Sequence, residues 1–322
     1  MPGFNTYNNE HLIRSQIWPT QLKEVLEFDL MGTRYVDMIS EFTDGDTINI
    51  PSIGQMEQSD YVEGNPVKYT AMDTGNFQFS ITDYKQSGTY ISNKMKQDTF
   101  YLSKLVSSFV PKQARAIMTG IEERVMAVGP DGQTASDLNN INGAPHRFYG
   151  QGGGTANLIS PQDFALAKYS LQKAAVPMTN LVAIVDPSVE YQLSTLTNLV
   201  NVSNNPRWEG IIRDGMTSGM KFIMNIYGFD VYVSHFLKTG LTETISGQSA
   251  TNGVANLFFS ASQDVLPFVG QIRQAPRVDS EYNKDLQREE YVTTARYGFK
   301  LYRPENLVTV ITEGGTIAPS YS

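Results

Sequence analysis

Cysteine is absent from the 322-residue chain. That excludes disulfides, thiolate metal sites and cysteine nucleophiles, and it fits synthesis in a reducing compartment. Histidine is scarce: His11, His146 and His235 are scattered, and none has a second ligand at metal spacing. His146, beside Arg147 in a glycine- and asparagine-rich stretch, reads as a surface or interface residue. No apolar run reaches eighteen residues, and the start, MPGFNTYNNEHL, lacks the basic-then-apolar pattern of a signal peptide. The chain therefore reads as soluble, unprocessed at its start and without a membrane partner. Charge is low too, at 18% of residues, and the 25 Lys and Arg against 33 Asp and Glu leave a net charge of −8. That balance argues against a dedicated nucleic-acid binder, because neutralising phosphates needs a basic surface.

Chemical motifs are missing as well. No G-x-S-x-G elbow, Walker loop or H-E-x-x-H occurs. GQGGGTAN (150–157) follows no convincing strand and lacks the phosphate-binding lysine. Asp44-Gly-Asp46 is not followed by the spaced oxygen ligands of a calcium loop. Asp186 ends an apolar run without the upstream glycine fingerprint of a dinucleotide site. These read as a loop, a turn and a helix cap. No residue stands out as catalytic, cofactor-binding or metal-binding, so the expectation is a protein that is not an enzyme and needs no cofactor. Tyr, Phe, Asn and Gln are plentiful instead, which suits a surface largely covered by copies of the same chain.

The chain is organised around SNKMKQDTFYLSKLVSSFVPKQARAIMTGIEERVMAV (92–128). Leu102, Leu105, Phe109, Ile117, Ile121, Val125 and Val128 recur at steps of three and four, bridged by Val110 and Ala114. That spacing predicts one long helix with an apolar stripe. Ser92 or Asn93 caps its start, and Gly129-Pro130 is expected to stop it. Pro111 cannot donate to the carbonyl of Ser107, so a kink or break is expected near Ser107 and Ser108. Lys104, Lys112, Arg115, Glu122 and Arg124 fall on the opposite face, which should be wet or face a partner.

Before this helix, residues 1–43 read as an arm with anchors at Ile17, Trp18, Leu22, Val25 and Leu26. DGDTINIPSIG, VKYTAM and NFQFSIT alternate like strands and form a long two-stranded excursion, which is marginal in water unless it lies on something. After the helix, residues 129–157 are glycine- and asparagine-rich with little periodicity, and a loop that long is usually functional or a contact element. Ser160-Pro-Gln-Asp163 opens a second helix with a capping box and proline at the first position. LVAIVDP (181–187) is a strand buried on both faces, with Asp186 capping a following helix. YGFDVYVS (227–234) puts Phe229, Val231 and Val233 on one face of another strand. GLTETISGQSATNGVAN reads as loop. Leu257–Phe259, Tyr291–Leu301 and Leu307–Ile311 supply closing strands. The class is α+β, without internal repeats or separating linkers.

This order of parts resembles the major capsid proteins of tailed bacteriophages, the Hong Kong 97 fold, over nearly the whole chain. The matching pieces are the arm, GDTINIPSIG opening an extended loop, the NFQFSITDYKQSG return strand, the spine helix, the VPMTNLVAIVDP unit and GMKFIMNIYGFDVYVSHFL. The resemblance implies an N-terminal arm (1–43), an extended loop over a neighbouring subunit (44–88), and a spine helix with peripheral domain (89–158). An axial domain (159–254) and closing strands with a C-terminal tail (255–322) follow. It further implies a shell subunit of a double-stranded DNA phage, forming pentamers and hexamers, made in the bacterial cytoplasm and resident in the virion. Its expected partners are itself, a separate scaffolding protein, a portal protein, a decoration or cement protein, and packaged DNA in non-specific contact. An encapsulin-like nanocompartment, or an unrelated α+β enzyme or binding domain, are the rival readings.

Charge points to a seam between copies. The loop from Asp44 to Lys85 holds Asp44, Asp46, Glu57, Asp60, Glu63, Asp73 and Asp83 against only Lys68 and Lys85. Residues 273–303 are rich in Arg and Lys. If the loop overlies a neighbour as the resemblance implies, Glu57, Asp60 and Glu63 face some of Arg115, Arg124, Arg288 and Arg296. Lys68 lies in the same loop. Some relatives cross-link a lysine to an asparagine, but no acceptor is identified for it here.

Overall fold

A computed structural model of the protein describes residues 31–39, 47–53, 60, 63–64, 74–98, 102–152, 157–195 and 222–314. A 3₁₀ turn at Gly32–Tyr35 leads into β1 (Val36–Met38). β2 (Thr47–Ile53) and β3 (Thr74–Ser80) pair as a ribbon, and β4 (Asp83–Ser92) runs into α1 (Asn93–Asp98) and α2 (Leu102–Gly132). β5 (Arg147–Tyr149) precedes α3 (Pro161–Lys173), β6 (Leu181–Val185) and α4 (Pro187–Thr195). Next come β7 (Phe222–Ile226), β8 (Phe229–Val233) and the small pair β9 (Thr244–Ile245) and β10 (Gln248–Ser249). β11 (Gly253–Ser260), β12 (Phe268–Asn283), β13 (Arg288–Leu301) and β14 (Val308–Glu313) complete the α+β chain.

The strands form two principal sheets. One is six-stranded, ordered β5-β14-β11-β6-β8-β7, and the other four-stranded, ordered β1-β12-β13-β4. The six-stranded sheet is built as its sequence dictates. Every residue of β6 and of β11 is buried, as continuous apolar runs require when both faces are covered. β8 alternates, with Phe229, Val231 and Val233 inside. Pro161 opens α3, and Ser160 with Asp163 completes the capping box. The buried face of α3 carries Phe164, Ala167 and Leu171. There Phe164, Phe229 and Phe258 meet edge to face, with ring centroids 5.0, 5.4 and 6.4 Å apart. Asp186 caps α4, its Oδ2 accepting from the Ser188 N–H at 2.9 Å.

The spine helix α2 lies against the other sheet. Ile117, Ile121, Val125 and Val128 are buried as their spacing predicts. They join Phe268, Ala295, Tyr297, Phe299 and Leu301 in one apolar cluster, which also takes in Ile184 and Phe259 of the six-stranded sheet. The helix thereby seals the joint between the two sheets. Among the described residues no helix is long and apolar enough to cross a membrane.

Four expectations need correction. The spine is not one helix from residue 92: α1 ends at Asp98 and α2 begins at Leu102, although Ser92 does cap α1 by accepting from the Met95 N–H at 3.3 Å. Pro111 does not divide α2, which runs through it to Gly132, and Gly129-Pro130 does not stop it. Proline in a helix costs about 3 kcal/mol, and burial of Ile117, Ile121, Val125, Met126 and Val128 outweighs that local penalty. The stretch after α2 is not mere loop. It contains β5, parallel to β14, and His146, expected at a surface or interface, is buried within its own chain, as is the neighbouring Arg147. Finally, the sequence reading passed over β12, the 16-residue strand that pairs with β13, and over the short β9–β10 pair. Pro276 and two register shifts break the alternation that would have revealed β12.

Candidate assembly surfaces

The segment before β1 is fastened to α2 by a buried carboxylate, while the expected arm anchors Ile17, Trp18, Leu22, Val25 and Leu26 lie outside the described residues. Glu122 of α2 is 1% exposed. Its oxygens accept from the backbone N–H of Met31 at 2.9 Å and of Gly32 at 2.7 and 2.8 Å. The 3₁₀ turn that follows has no side-chain cap of its own, so Glu122 caps it from 90 residues away. Gly32 is required here, because a Cβ would sit 2.9 Å from Glu122 Oε2. Burial pushes the carboxyl pKa up, opposed by the Met31 and Gly32 N–H groups and by Arg115. Beyond the turn, Tyr35 meets Phe259 edge to face at 5.2 Å, and burial pushes its hydroxyl up to about 12. β1 then joins the edge of β12 in parallel. The sequence reading placed Glu122 on the wet face. Its position three and four residues before the buried Val125 and Met126 was the available signal.

The ribbon is seated at its base. Phe79 is 1% exposed. Phe77 stacks edge to face on Tyr302 at 4.9 Å, and Lys300 Nζ stands 4.8 Å from the Phe77 ring centre while donating to the Gln78 carbonyl at 2.8 Å. Gly298 lets the ribbon approach, since a Cβ there would lie 3.1 Å from the Ser80 carbonyl oxygen. Farther out, Asp60 and Glu63 are exposed. Glu57, Lys68, Tyr61 and Val67 lie outside the described residues.

Arg124, expected to face a neighbour, already has partners in its own chain. Its Nε donates to Asp83 Oδ2 at 3.1 Å, and its Nη1 to Asp131 Oδ2 at 3.1 Å. Asp131 also takes Lys238. These charges tie the foot of β4, the spine helix and the segment after β8 together, and the guanidinium keeps 37% side-chain exposure. Arg115 sits half-buried on the same helix. Arg288 and Arg296 fall on the other side of the sheet. In antiparallel pairing, directly opposed residues share a face. Arg288, Glu290, Val292, Thr294 and Arg296 pair with Ser92, Tyr90, Gly88, Gln86 and Tyr84, and Tyr84 and Tyr90 are 59% and 61% exposed. The alternate residues Thr293, Ala295 and Tyr297 are buried toward the helix. Arg288 pairs with Glu290 at 2.6 Å and lies over the Tyr90 ring, 4.5 Å from its centre. The structure thus puts Arg288 and Arg296 on one face of the sheet, near opposite ends of the β4–β13 pairing, and Arg115 and Arg124 on the helix behind it.

A second buried charge locks the far end of the spine. Arg147 is 1% exposed and donates through Nε to Glu243 Oε1 at 2.9 Å, with Nη2 also on that oxygen. Its Nη1 donates to the Pro130 carbonyl at 3.1 Å, one of the last carbonyls of α2, where positive charge is favoured. His146 beside it is fully buried, donates through Nδ1 to the Ala144 carbonyl at 3.0 Å, and is held below the usual histidine pKa by desolvation.

A six-stranded sheet buried within the subunit thus joins a four-stranded sheet covered on one face by the long helix α2, with the segment before β1 anchored on that helix and the β2–β3 ribbon seated against the end of β13. The model of the family described as phage capsid protein matches residues 77–310. The chain belongs to that family. Its fold is Hong Kong 97-like, and the sequence reading of a tailed-phage major capsid protein holds. Among solved structures, the capsid of cyanophage P-SCSP1u superposes with a TM-score of 0.70 at 13% identity, covering 95% of this chain and 94% of that one. A chain from Mycobacterium phage Che8 gives 0.64 at 16% identity, covering 93% and 97%. One from the cyanophage Pam1 capsid asymmetric unit gives 0.66 at 12% identity, covering 98% and 99%. No curated protein sequence matches the chain significantly.

Proposed function

We propose that the chain is a purely structural subunit that assembles with itself into pentamers and hexamers of an icosahedral shell around double-stranded DNA. It acts in the virion after synthesis in the bacterial cytoplasm, with a separate scaffolding protein during assembly and a portal protein at one vertex. The observation that carries this reading is the ribbon: its base is pinned by Phe77, Phe79 and Lys300 while Asp60 and Glu63 point into solvent. A projecting acidic ribbon is suited to lie on another copy. Residues 44–88 act as the extended loop, 89–158 as spine and peripheral domain, 159–254 as axial domain. Electron microscopy of the purified chain, expressed with its scaffold, should show closed shells; a protein that stays monomeric would refute the reading.

Register across the seam is set by charge in this proposal. Glu57, Asp60 and Glu63 of one copy meet some of Arg115, Arg124, Arg288 and Arg296 of the next. Each exposed pair contributes at most about 1 kcal/mol and is screened by salt, but repetition around a shell favours correct neighbours. Reversing all three acids should impair assembly, and reversing the arginines should partly restore it. Unchanged yield at low salt would remove the charge seam from the account.

A further inference from the structure

Asparagine followed by glycine occurs twice, at Asn142-Gly143 and at Asn252-Gly253. Chemically the two pairs are alike, because glycine has no side chain to hinder attack by its own backbone nitrogen on the preceding side-chain amide. The fold treats them in opposite ways. Asn142 and Gly143 are the central residues of a hairpin closed by Ile141 and Ala144, whose N–H groups each donate to the other's carbonyl at 3.0 Å. Both take positive φ, 50° and 80°, as this pair allows. Both are exposed, and nothing lies within 4 Å of a Cβ built at Gly143. The Gly143 N–H donates to no described residue. Two backbone bonds close the turn, and a hairpin so short opens at small cost.

The second pair is locked. Gly253 is buried at the start of β11 and its N–H donates to the Leu241 carbonyl at 2.8 Å. Asn252 is held at three points. Its N–H donates to Glu313 Oε1 at 2.9 Å, its Oδ1 accepts from the Gly240 N–H at 3.1 Å, and its carbonyl accepts from the Gly314 N–H at 3.0 Å. The Asn142 side chain, by contrast, makes one bond. Its Nδ2 donates to the carbonyl of Lys173, the last residue of α3, at 2.9 Å. That bond ties the segment after α2 to the negative end of α3.

We propose that Asn142 is a site of spontaneous deamidation, and that the change cuts this tether. Solvent hydroxide removes the Gly143 amide proton, and the nitrogen attacks Asn142 Cγ. The new C–N bond closes a succinimide ring. The Cγ–Nδ2 bond breaks, and the side-chain nitrogen takes a proton from water and leaves as ammonia. Water then opens the ring at one carbonyl or the other, giving aspartate or isoaspartate. Either product replaces a donor with a carboxylate, which the Lys173 carbonyl and the C-terminal end of α3 repel. Isoaspartate also adds a carbon to the backbone inside a two-residue turn. At Asn252 the same reaction requires Gly253 to leave β11 first.

Incubating the purified chain at mildly alkaline pH, native and in denaturant, tests this, with peptide mass spectra reading the one-dalton gain at each pair. In denaturant the two pairs should react at similar rates. In the native chain Asn142 should convert at least about tenfold faster than Asn252. Equal native rates, or a native Asn142 that stays intact while the denatured chain converts, would overturn the site. Asn142→Asp tests the consequence: amide exchange at Ile141 and Ala144 should accelerate about tenfold while β6 stays protected. Unchanged exchange at the hairpin would show the tether to be dispensable and strike that half of the proposal.

Discussion

The six-stranded and four-stranded sheets use the same strand types and end in opposite conditions. In the first, β6 and β11 are buried along their whole length and the edge strands are short. In the second, among the described residues, the face toward α2 is covered, and the outer face carries the exposed Tyr84 and Tyr90 beside the half-buried Arg288 and Arg296. One sheet has spent its surface inside the subunit and the other has kept it. The difference locates stability in one half of the molecule and contact capacity in the other, with α2 and its two buried charges joining them.

That contrast breaks most readily at the sealed sheet. Phe258→Ala removes the centre of the Phe164–Phe229–Phe258 cluster and should cost about 3–5 kcal/mol in denaturant unfolding of the free subunit. Tyr90→Ala, on the outer face, should stay within about 0.5 kcal/mol of the parent. Equal losses would erase the distinction between the sheets. Arg147→Ala comes next, since it strands Glu243 without its partner and should cost about 3 kcal/mol. A double replacement of Arg147 and Glu243 by apolar residues should recover part of that loss.

Glu122→Ala sharpens the comparison at the arm. Two backbone N–H groups lose their acceptor, a loss of about 1–3 kcal/mol, and exchange should accelerate at Met31–Val36 while the six-stranded sheet stays protected. His146 contributes a pH dependence. Its folded pKa lies below the ordinary histidine value, so the unfolded chain binds more protons in that interval. Stability should fall as the pH drops through about 6.5, and His146→Asn should flatten that part of the profile. The smallest effect belongs to Arg124→Ala. Its pairs with Asp83 and Asp131 are partly exposed, so the subunit should lose at most about 1 kcal/mol, less at high salt.

How much was legible in the sequence follows from how local each cause is. The capping box at Ser160–Asp163, the run LVAIV and the alternation of FDVYV each declare themselves within a few residues, and all three stand as expected. Arg147 was opaque because its partners, Gln133, Pro130 and Glu243, lie up to 96 residues away. Glu122 was opaque for the same reason, its partners being backbone groups of the arm. The expected break at Pro111 does not occur, because α2 is held by its packing face and a local rule does not contain that cause. The order of parts, a long-range pattern, showed the fold even where single residues did not. The charge seam remains a proposal, since Arg288 and Arg296 share a face of the sheet with no neighbouring copy beside them and Glu57 lies outside the described residues.

The junction between ribbon and spine has a mechanical consequence. β3 ends at Ser80 and β4 begins at Asp83, so only Ile81 and Thr82 intervene. Tension drawn along the chain from the ribbon toward α1 must pass lengthwise through β4. It meets the ten consecutive pairs with β13 side by side, in shear, so they yield together or not at all. A tug on the ribbon is therefore resisted by the whole ladder at once, and the spine feels it as a push on a rigid plate.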